Sequence, residues 1–205
     1  MSILQGSLSL HRALVLGPVP DEECIFDGLR QESFRAFEDG MEEERSGWCD
    51  WRNPLITPPE ETWVSQERFA VIALRIDTRR VPAALLKAHV DLRLQSLMKE
   101  KNLTFVGNEA RISLQDEVKA ELLQQVLPTP RVVEVAWDLK GGILWTTASS
   151  SKTQSALAVL FMKSFGCELQ PLVPLLLAGR VASHISTEAL MALDSLNLCL
   201  EEERA

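Results

Sequence analysis

The sequence lacks what a metal centre or a familiar catalytic motif would need. Its four cysteines, Cys24, Cys49, Cys167 and Cys199, are far apart with no C-x-x-C pair, and His11, His89 and His184 lie nowhere near them. Structural zinc draws on paired ligands at short spacing, so no metal is expected, and reduced thiols in a cytoplasmic protein are the simplest reading. G-x-S-x-G, H-E-x-x-H and G-x-x-x-x-G-K-[ST] are all missing. So are internal repeats and low-complexity tracts. The apolar stretch Leu172–Ala178 is broken by Pro174 and is far too short to span a bilayer. The opening MSILQGSLSLHRALVLG has no basic region leading into a long apolar run, which argues against a signal peptide. No membrane partner and no cofactor are expected.

Positive charge is also scarce. Lys and Arg number 21 against 29 Asp and Glu, a net of −8, which opposes a generally basic nucleic-acid binder. The distribution is uneven, however. Residues 1–67 carry a balance of −9, residues 68–163 carry +5, and residues 164–205 carry −4. A cationic middle can present a local positive surface, because fields act within a Debye length of ~10 Å. Alternatively, the acidic ends fold back over the middle and cancel it; charge alone leaves both readings open.

The remaining composition is that of an ordinary globular chain: 205 residues, 46% apolar and 24% charged. Such a length buries roughly 70% of its extended-chain surface without disulfide or metal. A first strand is expected near 7–16, ended by Gly17-Pro18, then a helix after Pro20 with Asp21, Glu22 and Glu23 in its first turn. Residues 38–62 read as loop around a short strand near Trp48, and 68–76 as a strand. A long helix is expected over about 82–101, with Ala83, Leu86, Val90, Leu94 and Leu97 on one face. Residues 103–111, containing Gly107-Asn108, read as a loop. Ser113 then acts as N-cap of a helix over about 114–126. A hairpin follows, 132–138 and 143–148 around Gly141-Gly142. A helix over 151–165 is N-capped by the run Ser149-Ser150-Ser151 and closed by Gly166. A strand is expected at 168–175, and a last helix over about 187–202 turns Leu190, Leu193, Leu196 and Leu200 inward.

This order predicts an α+β fold of mixed or antiparallel sheets with hairpins and packed helices. Its portions are an acidic strand-helix-loop region at 1–67, a core with the basic middle at 68–178 and a C-terminal capping helix at 179–205, unless all form one continuous domain.

Catalysis is not expected. Consecutive carboxylates such as Glu42-Glu43-Glu44 diverge, whereas a two-metal nuclease collects its ligands from separate elements. A solvated acidic loop explains them better. The functional candidates are instead the cations of the middle: Arg79, Arg80, Lys87, Lys99, Lys101, Arg111 and Lys119. They form a diffuse set rather than one stripe, compatible with phosphate contacts and poorly suited to reading bases. Trp137 and Trp145, flanked by Val and Leu on hairpin strands, are assigned to core packing, since base stacking would require them to be exposed beside basic residues.

Several segments in this order resemble the RdgC family of recombination-associated proteins. They are LSLHRALVLGPVPDEECIFDGL, the Gly47-Trp48 pair, ISLQDEVKAELLQQVLP after the long helix, the hairpin with Trp137, Asp138 and Gly142, Lys163-Ser164-Phe165-Gly166, and Pro171-Leu172-Val173-Pro174-Leu175. The chain stops soon after the last of these, where longer members continue. The inter-helix region that is lysine-rich in those members reads KEKNLTFVGNEAR here. The resemblance implies a non-catalytic, sequence-independent binder of double-stranded DNA. It implies a ring-shaped homodimer associated with the nucleoid that restrains the RecA recombinase by occupying its substrate. The alternative is a protein-interaction module that keeps the fold, has lost DNA binding and acts on a recombination partner.

Overall fold

The computed structural model describes residues 9–38, 41–59, 64–65, 68–102, 104–181, 186, 188–189 and 192. One seven-stranded sheet organises them. It comprises β1 (His11–Leu16), β2 (Glu44–Cys49), β3 (Val64–Ser65), β4 (Phe69–Thr78), β5 (Thr129–Asp138), β6 (Ile143–Thr146) and β7 (Glu168–Pro171). The order is β2-β4-β5-β6-β1-β7, every named pair is antiparallel, and β3 joins β4 beyond the end of β2. The helices are α1 (Glu22–Gln31), α2 (Ala83–Glu100), α3 (Asn108–Gln125), α4 (Ser151–Phe165) and α5 (Pro174–Val181). This is an α+β fold. Strands from the acidic first third and from the cationic middle share the sheet, so the boundary near residue 67 divides charge rather than structure. The helix expected over 187–202 lies outside the described residues, apart from isolated positions.

Strand alternation decides which face is core. In β4, Ala70, Ile72, Leu74 and Ile76 join the main apolar cluster, with Val133, Val135 and Trp137 of β5 and Leu144 of β6. Ile25 and Leu29 of α1 and Leu157, Leu160 and Phe161 of α4 cover them. Four aromatics form the centre. Trp137 meets Phe161 edge-on at 4.9 Å between centroids, Phe161 meets Phe165 at 4.8 Å, and Phe165 meets Trp48 at 5.8 Å. Such pairs add ~0.5–1.5 kcal/mol beyond the area they bury. Trp48 Nε1 donates to Ser164 Oγ at 2.7 Å, which fixes α4 against β2.

The ends of α4 match the sequence reading. Ser150 Oγ accepts from the Thr153 N–H at 3.2 Å, and Gly166 closes the helix in the left-handed conformation at φ +67°. Two other readings are corrected. α3 starts at Asn108, with Gly107 as an extended N-cap and Ser113 inside the helix, so the capping signal at Ser113 is overridden. The strand expected over 168–175 stops at Pro171, and Pro174 opens α5, where its missing N–H costs nothing.

The β7 edge is chemically blunted. The Leu172 N–H donates to the Arg12 carbonyl at 2.9 Å, so alternate residues 168 and 170 also face β1, and Pro171 faces outward. Having no N–H, it cannot template another strand there.

Candidate nucleic-acid interface

β4 and β5 pair over their full lengths, from Phe69↔Asp138 to Thr78↔Thr129. The chain between them leaves the sheet as an arm in which α2 and α3 pack on each other. Val90, Val118 and Leu122 are its small core, flanked by Val81, Leu86 and Leu94, and this cluster is separate from the main one. Eighteen residues at 1.5 Å each make either helix about 27 Å long. Of the apolar face expected for α2, Leu86, Val90 and Leu94 pack on α3 rather than on the sheet, whereas Ala83 is exposed.

The candidate cations divide among three settings. Arg79 is buried. Its Nε and Nη2 donate to the Glu42 carbonyl at 3.1 and 2.6 Å, its Nη1 reaches the Leu123 carbonyl at 3.4 Å, and its guanidinium lies 4.1 Å from the Phe37 ring centroid. It clamps the base of the arm to the segment before β2, so its assignment as a phosphate contact is withdrawn.

Lys119 is tied to Glu43 by an ion pair, and exposed Arg80 acts on the same carboxylate. The Lys119 hydrogen bond is the main reason Glu43 titrates below the ordinary carboxylate value. This pair belongs to a seam. Glu44 pairs with Lys152, and Glu32 with Lys163 at 2.7 Å. Acidic residues before and within β2 therefore fold over part of the cationic middle, one of the two readings the charge pattern left open.

Lys87, Lys99, Lys101 and Arg111 are exposed and have no ion-pair partner among the described residues. Lys99 lies in the last turn of α2, Lys101 is its C-cap, and Arg111 lies in the first turn of α3, so these three gather at the arm's tip. Lys87 is twelve residues, about 18 Å, nearer the base. Glu100 and Glu109 share the tip and moderate its charge. Phe105, in the connection, is 78% exposed.

Other arginines serve the fold. Arg75 holds buried Asp77 bidentately, Nε at 2.7 Å and Nη2 at 2.6 Å, and its Nη1 donates to the Pro54 carbonyl at 3.0 Å. Arg68 Nη2 donates to Asp138 Oδ2 at 2.9 Å, while Asp138 Oδ1 accepts from the N–H groups of Lys140 and Gly141 at 3.1 and 2.9 Å. The Arg68 hydrogen bond leads the causes that hold the Asp138 carboxyl below its usual range. No three His, Cys, Asp or Glu side chains among the described residues are grouped to hold a metal ion, and no described helix is long and apolar enough to cross a membrane.

The structure also separates two tryptophans that the sequence reading put together. Trp137 is fully buried, whereas Trp145 is only partly covered, on the opposite face of the sheet. The register explains it: Trp137 pairs with Leu144 and Ala136 with Trp145, so the two indoles point to different sides. Arg12 lies opposite Trp145 in β1, and no local sequence signal links the two because they are remote in sequence.

No curated protein matches the chain. A family model described as "Putative exonuclease, RdgC" matches residues 16–187, which takes in the arm, the sheet from the end of β1 onward and every described helix. With most of its length matched, the chain belongs to the RdgC family.

Proposed function

We propose that this protein binds double-stranded DNA without regard to sequence and without cutting it, and thereby modulates recombination or replication. Family membership supports a recombination-related role. The observation that carries the finer reading is the arm, whose tip offers Lys99, Lys101 and Arg111 without ion-pair partners among the described residues, while Lys119, Lys152 and Lys163 are already neutralised. Flexible cations at the end of a projecting helical pair can follow a phosphate backbone and carry no means of reading base edges. Occupied duplex is denied to a RecA-type recombinase, and a homodimer would bring two arms to one duplex. Nucleoid association follows from the same binding.

The test is the anisotropy of a labelled random-sequence duplex titrated at several salt concentrations, with and without Mg²⁺. Log K should fall linearly with log salt. Replacing Lys99, Lys101 and Arg111 together with Glu should weaken binding equally for all sequences and flatten the slope by up to ~0.9 per lost phosphate contact. A base-dependent loss, no binding at low salt, or Mg²⁺-dependent shortening of the duplex would each count against the proposal.

One observation favours the interaction-module alternative. Leu85, Leu92, Phe105 and Ile112 are exposed on the arm at 44–78%. An apolar arm surface suits a protein partner better than phosphate.

A further inference from the structure

Beside α4, on the helical face of the sheet, lies a groove of about 570 Å³. Its floor is Ala13 of β1, Leu144 of β6 and Leu169 of β7, which carry the core face on towards the β7 edge. Leu157 and Ala158 of α4 also line it, as do Leu172 and Val173, the two residues that lead into α5. Ala13, Ala158, Leu169 and Leu172 are only partly covered, and Val173 is 46% exposed. Apolar surface continuous with the main core is therefore left without a cover among the described residues. No Asp or Glu lines the groove, and its one Lys or Arg is Arg12, which is exposed and has no ion-pair partner among the described residues.

We propose that this groove is the seat of the chain's own segment 186–200, which lays Leu190, Leu193, Leu196 and Leu200 into it. Those leucines recur every three or four residues, the spacing that puts apolar groups on one side of a helix. Two contacts at the start of the segment are those of a helix beginning. Ser186 Oγ accepts from the Ala189 N–H at 3.2 Å, and the Ala192 N–H donates to the Glu188 carbonyl at 3.0 Å. The length of chain allows the return. α5 starts at the groove and is eight residues, about 12 Å, long. The four residues between Val181 and Ser186 reach up to ~14 Å when extended, enough to bring the chain back over the start of α5. So short a tether sets an effective concentration in the mM range, which a second copy of the chain has to outcompete. Charge agrees as well: residues 186–203 carry Glu188, Asp194 and Glu201-Glu202-Glu203 and no Lys or Arg, and the groove offers them no carboxylate and one free cation in Arg12. The inference goes beyond the DNA reading and does not depend on it.

The experiment is native-state hydrogen exchange on the full chain, compared with a free peptide of residues 186–203. Amides of 190–200 should exchange at least about tenfold more slowly in the full chain than in the peptide. Leu193→Asp should remove that protection from the segment's side. Ala158→Glu should remove it from the groove's side, since Glu suits α4 as a helix former and sets a charge on the apolar wall. Ser155→Glu, at an exposed position lining the same groove, should act in the same direction without touching the packing of α4. Amides of β4 and β5 should be unchanged in all three, which separates loss of docking from loss of fold. Three outcomes would overturn the proposal. Exchange as fast in the full chain as in the peptide would mean that the segment is not docked. Protection that survives both groove variants would place it elsewhere on the molecule. Protection that rises with protein concentration would give the groove to a second copy.

Discussion

Gly28 shows how a single missing side chain sets the distance between two elements. It lies within α1, where Ala would ordinarily favour the helix by up to ~1 kcal/mol. A β-carbon there would sit 2.3 Å from the Ser164 carbonyl oxygen of α4 and 3.1 Å from the Phe165 ring. The obstacle is backbone, so it cannot swing aside, and Phe165 is already wedged against Trp48, Trp137 and Phe161. Overpacking costs of ~1–3 kcal/mol therefore outweigh the gain in propensity. Gly28→Ala should lower the urea midpoint by the equivalent of about 2 kcal/mol at unchanged m. An unchanged or raised midpoint would mean that α1 can move off α4 freely and that the aromatic centre is looser than its geometry indicates.

At the level of elements, the arm and the sheet are two packing units joined through Arg79 and the ends of β4 and β5. Their apolar clusters are separate, and that of the arm is small. Val118→Ala should remove about 2 kcal/mol from the arm's own stability and little from the sheet. Native-state hydrogen exchange should show faster amides throughout α2 and α3 with β4 and β5 unaltered; uniform acceleration would show that arm and sheet open together. Much of this architecture was legible because it is local. Apolar spacing marks α2, Gly141-Gly142 marks the β5–β6 hairpin, and Ser150 and Gly166 bracket α4. The failures arise where one local signal competes with another. Ser113 offers a good cap, yet Asn108 already continues as helix, and Pro174 reads as the tail of a strand although it begins α5. β3, at two residues, is too short for any periodicity. The site was legible as charge but not as geometry. Nothing near Arg79 in sequence announces that Phe37 and the Glu42 carbonyl will enclose it. Likewise, the exposure of Trp145 depends on a register no single strand reveals.

For the whole molecule, the question is how a chain of net charge −8 can approach a polyanion. The acidic seam supplies part of the answer, since Glu32, Glu43 and Glu44 are spent on Lys163, Lys119 and Lys152. Each pair is solvent-accessible, so each contributes only ~0–1 kcal/mol to stability and is weakened by salt. The seam matters more for the field, because it hides cations that would otherwise add to those on the arm. Changing Glu43 and Glu44 together to Gln should leave the unfolding midpoint nearly unchanged. It should free Lys119 and Lys152 to meet phosphate, raise duplex affinity at low salt, and steepen the log K against log salt slope by up to ~1.8, at ~0.9 per contact. Lys119 projects from α3, on the arm, whereas Lys152 opens α4 on the sheet's helical face. The size of the increment therefore reports which surfaces the duplex reaches. An increment near 0.9 means that it lies along the arm alone, and one near 1.8 means that it extends past β2 onto α4. An unchanged slope means that it touches neither lysine and that the tip residues Lys99, Lys101 and Arg111 hold it by themselves.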